Sequence, residues 1–173
     1  MANELKQKLI NAHVYEDNAR VLGIANVTLP NLEPLTDGLK GLGIAGEMDV
    51  PILGHFGSMT CQLDFTVVQG DISTLSEPRS HQLVVRAAIQ VQDTGLGTYS
   101  SKPLAVYMTA VPKGTNLGKL EPGAGMDTQL TFEVTALKLF VDNKEAIEVD
   151  KLNMIYRVNG VDYLAGVRTD MGL

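Results

Sequence analysis

Apolar and polar residues alternate along most of this chain, and a period of two places each set on one face of a β-strand. Ser58 to Val68 shows the pattern cleanly. Cys61, Leu63, Phe65 and Val67 fall on one face, and Gln62, Asp64 and Thr66 on the other. His81 to Asp93 repeats it with Leu83, Val85, Ala87, Ile89 and Val91 together, and Leu104 to Pro112 predicts a further strand. A hairpin is expected from His13, with HVYE and RVLGIANVTLP flanking a turn near Asp17, ended by Pro30 and Pro34. Glu4 to Asn11 fits a short helical turn or an extended arm. Asp49 to Leu53 reads as a short strand whose Pro51 suits an edge.

The longest runs lie at Leu130 to Gly160, on either side of DNKE. An arm of about 12 residues is about 40 Å long, roughly twice the usual strand. In the first arm Leu130, Phe132 and Val134 oppose Thr131, Glu133 and Thr135. Beyond Ala136 the apolar set becomes Leu137, Leu139 and Val141. The return arm slips likewise, from Ile147 and Val149 to Leu152, Met154, Tyr156 and Val158. A slip of one residue turns the faces over unless a bulge absorbs it, so each arm is expected to bend mid-length.

Two short helices are expected. One spans Asp71 to Ser80, with Asp71 as N-cap and Pro78 as stop; the other lies in VDYLAGVRTDMGL. Asn31 to Met48 and Lys113 to Gly125 read as glycine-bearing loops. Together these elements predict a mainly β fold: an antiparallel β-sandwich or barrel with long hairpins and one or two short flanking helices.

The length of 173 residues fits one domain, residues 1–173, with a sizeable core. Aromatic residues are 5% and Trp is absent, which argues against a base-stacking or sugar-stacking surface. The net charge of -6 argues against non-specific nucleic-acid binding, which needs clustered Lys and Arg. The single cysteine, Cys61, excludes an intrachain disulfide. No apolar run approaches the ~20 residues of a membrane span, and the opening residues lack the basic-then-apolar pattern of a secretory signal. Folding in a reducing cytoplasm is expected.

Motifs with chemical meaning are few. GLGIAG at Gly41 to Gly46 spells G-x-G-x-x-G, but an extended stretch follows where a helix should receive pyrophosphate. GTNLGK at Gly114 to Lys119 is one residue short of a phosphate loop, and Leu120 stands where Ser or Thr would hold magnesium. His13, His55 and His81 have no ligand spacing. Cys61 sits on an apolar face as a small hydrophobe. Asp142, Glu145, Glu148 and Asp150 read as a solvated turn. No catalytic, cofactor or metal residue is assigned.

Several stretches carry a resemblance. They are VTLPNLEPL at Val27 to Leu35, GLGIAGEMDVPI after it, and the C-terminal run from Leu130. Within that run the specific part goes from Ile147-Glu148-Val149-Asp150 through Asn153-Met154 to Val158-Asn159-Gly160-Val161-Asp162, with Leu164, Arg168 and Gly172-Leu173. This chain resembles the major tail tube proteins of contractile-tailed phages, a family that includes the tubes of R-type phage-tail-like bacteriocins. The resemblance is strongest over residues 26–50 and 129–173.

The resemblance implies a structural protein of the virion tail. Hexameric rings stack into a hollow tube, each subunit giving about four long strands to a continuous inner wall. The partners implied are other copies of the chain, the sheath, and the baseplate and tail terminator proteins. DNA, or ions in a bacteriocin-like particle, passes without specific binding. No cofactor, enzyme activity or membrane partner is implied. On this reading Gln62, Asp64, Thr66, Thr131, Glu133 and Thr135 are expected to face the lumen. Leu39, Leu42, Ile44 and Met48 are expected at contacts between subunits or rings. The competing readings are a monomeric ligand-binding β-barrel and a small hydrolase using Cys61 with a histidine.

Overall fold

The computed structural model describes residues 4–21, 23–41 and 45–173. In chain order the elements are β1 (Glu4–Glu16), β2 (Ala19–Val21), β3 (Ile24–Thr28), β4 (Pro34–Leu39), β5 (Met48–Phe56), β6 (Thr60–Phe65) and α1 (Gly70–Leu75). There follow β7 (His81–Asp93), β8 (Tyr99–Asn116), β9 (Thr128–Val141), β10 (Lys144–Asp150), β11 (Ile155–Val158), β12 (Val161–Asp162) and α2 (Ala165–Asp170). The fold is mainly β, every strand pairing described is antiparallel, and the two helices are short.

Ten strands join in one sheet, ordered β12-β11-β10-β9-β8-β7-β1-β2, with β6 on β9 and β3 on β6. The pair β4-β5 stands apart as a two-stranded sheet. The large sheet must curl. Its path β2-β1-β7-β8-β9-β6-β3 separates β2 from β3 by five strands, yet Val21 and Ile24 are three steps apart in the chain, at most about 11 Å. Gly23 makes the corner at φ +74°, and a Cβ there would lie 2.0 Å from Nε2 of Gln69. Inside the curl, Val14, Val21, Cys61, Leu63, Phe65, Leu83, Val85, Met108, Leu130, Phe132 and Val134 form one buried cluster, joined by Ile72 and Leu75 of α1. Burying each large aliphatic or aromatic side chain contributes about 1.5–3 kcal/mol.

Tight turns set the registers. Asp17-Asn18, Asp142-Asn143 and Asn159-Gly160 each join paired strands through two residues at positive φ. That is the turn geometry whose twist matches antiparallel strands, and Asn, Asp and Gly tolerate it best. The slip in β9 is absorbed as its pattern requires. Thr109 pairs with Ala136 and Ala110 with Val134, leaving Thr135 as the extra residue of a bulge. Its Oγ1 donates to the Thr109 carbonyl at 3.2 Å.

Other expectations are corrected. The return arm is not one long strand: β10 ends at Asp150, the chain turns, and β11 pairs back on β10. Asp150 Oδ1 accepts the N–H groups of Leu152 and Asn153, and Met154 turns the chain at φ 52°. Asn31 to Met48 is not all loop, since Pro34–Leu39 pairs with β5. The strand expected over Leu104 to Pro112 runs from Tyr99 to Asn116, so the loop after it starts later. The first helix begins at Gly70, with Gln69 as N-cap. Asp71 lies in its first turn, where a carboxylate suits the helix dipole. Val67 lies beyond the end of β6 and is exposed. The undecided segment from Glu4 is extended, as part of β1.

Candidate assembly surfaces

The register of β6 against β9 brings most of the expected lumen residues together. Gln62 lies opposite Thr131, Asp64 opposite Gln129, and Thr60 opposite Glu133. Because Cys61, Leu63, Leu130 and Phe132 fill the core, Gln62, Asp64, Thr131 and Glu133 share the face turned away from it. Asp64 accepts hydrogen bonds from Nε2 of Gln62 at 3.1 Å and of Gln129 at 3.0 Å. Thr66 is exposed just past the end of β6, and Thr135 is the bulge residue.

Glu133 is tied into its own chain. It accepts from Ser58 Oγ at 2.5 Å, Met59 N–H at 3.2 Å and Lys113 Nζ at 3.3 Å, with Lys151 Nζ at 3.5 Å. Partial burial pushes its pKa up, but these donors and the Lys151 charge outweigh it and hold the carboxyl below its ordinary range. It therefore fastens the β5–β6 connection to the large sheet, a role that composition and periodicity gave no sign of.

Four long strands stand side by side in the order β9-β8-β7-β1. They have 14, 18, 13 and 13 residues. At about 3.3 Å per residue β8 is roughly 60 Å long. These strands outrun the core: every β1 residue from Glu4 to Ile10 is exposed. On the outer side of β1, β2 pairs only with Val14 to Glu16, so among the described residues the edge from Glu4 to His13 is open. Lys102 of β8 bridges Glu4 and Asp142, and those two bonds hold its ammonium pKa up.

The third surface is the β4–β5 hairpin. Leu39 pairs with Met48 and Asp37 with Val50, so these four residues share a face with Ile52. Leu39, Met48, Val50 and Ile52 are all exposed. The base of the hairpin is fixed. Phe56 meets Tyr156 edge to face at 5.1 Å, and Gly57 donates to the Glu33 carbonyl at 2.9 Å. Gly54, at φ +71°, lies against Leu164, where a Cβ would come within 2.4 Å. Leu164 sits at the start of α2, which Arg168 holds through the Met154 carbonyl and Asp162, both at 2.7 Å. That Arg168 bond is the main reason the Asp162 carboxyl titrates below its ordinary range. Of the expected contact residues, Leu39 and Met48 are on this hairpin, while Leu42 and Ile44 lie outside the described residues.

The chemistry suggested by isolated residues does not assemble. Cys61 is fully buried, and burial pushes its thiol up to about 12, which removes the thiolate a nucleophile needs. His81 is buried between Glu16 and the Glu77 carbonyl. Among the described residues no group of three or more His, Cys, Asp or Glu is placed to hold a metal. No described helix is long and apolar enough to cross a membrane.

Comparison with known proteins decides the family. The phage tail tube protein FII family matches residues 6–172. The chain belongs to that family. It is also 28% identical, over 186 aligned positions and the whole of both chains, to the tail tube protein of Escherichia phage P2. A tail tube protein is a structural component of the virion tail. The open β1 edge was missed in the sequence because a strand shows its pattern of faces, not which of its edges is paired.

Proposed function

We propose that six copies of this chain close into a ring and that rings stack into the hollow inner tube of a contractile tail, acting as a conduit without a catalytic step. The observation that carries this reading is the row of four long strands with an open β1 edge, which outruns the core that one subunit can fill. Four strands from each of six subunits give 24. At about 4.8 Å per strand the circumference is about 115 Å and the diameter about 37 Å, and strand tilt widens it. A DNA duplex about 20 Å across would pass. The sheath surrounds this tube, the baseplate and terminator proteins close its ends, and DNA or ions move through without specific binding. Gln62, Asp64, Thr66, Thr131, Glu133 and Thr135 are assigned to the lumen side. The β4–β5 hairpin with its connecting loop, from Leu39 through Leu42 and Ile44 to Met48, is assigned to contacts between copies.

The alternative is a monomeric ligand-binding barrel, and a groove of about 470 Å³ at the open mouth of the core is what favours it. Size-exclusion chromatography with image averaging separates the two. Six-fold rings or tubes are expected. A monomer that does not polymerise at any concentration, or a ring of another symmetry, overturns the proposal.

A further inference from the structure

The groove and the hairpin are each incomplete alone. The groove is lined by Leu9, Ile10 and Ala12 of β1, Ile24 and Val27 of β3, and Leu29 beyond it, and Leu9, Ile10 and Leu29 are exposed at its rim. Arg20 also lines it. Its guanidinium meets Nδ1 of His13 at 3.0 Å, and among the described residues it forms no ion pair. The hairpin offers the opposite. Its apolar face of Leu39, Met48, Val50 and Ile52 carries one acid, Asp37, which is exposed. A two-stranded hairpin is marginally stable unless its apolar face is covered. This one is pinned at its base by Tyr156 and Leu164, and it is not paired with the large sheet.

We propose that the apolar face of the β4–β5 hairpin of one copy seats in the groove between β1 and β3 of a neighbouring copy, with Asp37 of one chain paired to Arg20 of the next. The inference rests on the tube reading and names the two surfaces that meet in it. The contact is heterologous, since two different patches of the same chain face each other. Contacts of that kind propagate into closed rings or filaments rather than stopping at a dimer. Apolar cover and one acid–base pair together fix the register of docking. A ligand-binding groove would have no reason to match a charge on the molecule's own hairpin.

Cross-linking tests the pairing. The native Cys61 is buried with a raised pKa, so it is a silent background for introduced thiols. A chain carrying both Ile52→Cys and Leu29→Cys, assembled and mildly oxidised, is expected to give a ladder of covalently linked chains on denaturing gels. Val50→Cys with Leu9→Cys is the second pair, in case the first does not fold. Disulfides formed only within single chains overturn the proposal, because the hairpin then covers its own groove. Tubes that form normally without any cross-link from either pair overturn it while leaving the tube reading intact. A wild-type chain that makes neither rings nor tubes overturns the tube reading, and a ladder from either double-cysteine variant of that chain still upholds the docking. Charge reversal gives an independent check. Asp37→Arg and Arg20→Glu are each expected to lower assembly at least tenfold at low salt, and the two together to restore it. A double variant as weak as the worse single one counts against the Asp37–Arg20 pair.

Discussion

Glu133 shows how far one side chain's environment changes its meaning. On an alternating strand it reads as one more polar residue. In the folded chain it collects Ser58, the Met59 N–H and two lysines. Its carboxyl is held below the ordinary range, so its share of stability is full at neutral pH, above the unfolded pKa. That share is lost as pH falls through the lowered folded value. Glu133→Gln is therefore expected to cost about 1.5–2 kcal/mol at pH 7, the low end of the range for hydrogen bonds to charged groups. The cost should shrink as pH falls through that lowered value, where the wild-type carboxyl also becomes neutral. Denaturant unfolding of both proteins at pH 7, 5 and 3 measures it. A cost that stays constant with pH would assign the effect to shape rather than charge.

At the scale of elements, the bulge at Thr135 joins two stretches of β9 whose faces are out of phase. Deleting Thr135 should turn Leu137 and Leu139 outward and Lys138 inward, and a chain so altered is expected to fail to fold cooperatively. Thr135→Val keeps the residue count and loses only the bond to the Thr109 carbonyl, a cost of about 1 kcal/mol. Circular dichroism melts of the two variants distinguish these outcomes. The bulge was legible in the sequence because β9 packs one face on the core, so a change of phase shows as a change in apolar spacing. The bounds of β7 were legible for the same reason. Of the β4–β5 hairpin, β5 was legible in part, as the short edge strand Asp49 to Leu53; β4 was not, because its own chain buries neither of its faces and Pro34 and Gly38 read as loop residues. The break after β10 was hidden too. It depends on Asp150 capturing two backbone N–H groups and on a methionine at positive φ, neither of which leaves an apolar period. For the surfaces, the polar face of β6–β9 was visible as alternation, whereas the groove exists only once β1 and β3 meet.

For the whole molecule, charge is the property that scales with assembly. The proposed ring of six copies at -6 would carry 6 × -6 = -36. An acidic wall repels phosphate and lets DNA slide. Asp64 is the better probe of that wall than Glu133, since it is held by two glutamine amides rather than by lysines. In the proposed tube, Asp64→Lys is expected to leave assembly intact and to slow DNA passage at low salt, with recovery as salt rises. Ion conductance takes the place of ejection in a particle without DNA. Passage unchanged at every salt concentration would move Asp64 off the lumen side. Loss of tubes would make it an interface residue.

The open edge of β1 has a consequence in time rather than in shape. Unpaired strand edges join readily to other edges, and lysines along them oppose that joining. This edge carries Lys6 and Lys8. In the proposed tube, the first pairing of two free subunits would thereby be slow, while a chain arriving at a growing end would gain pairing and apolar cover at once. Free subunits of that tube would polymerise after a lag that a preformed ring removes. The length of such a tube would then be set by when growth starts and stops rather than by how much of the chain is present.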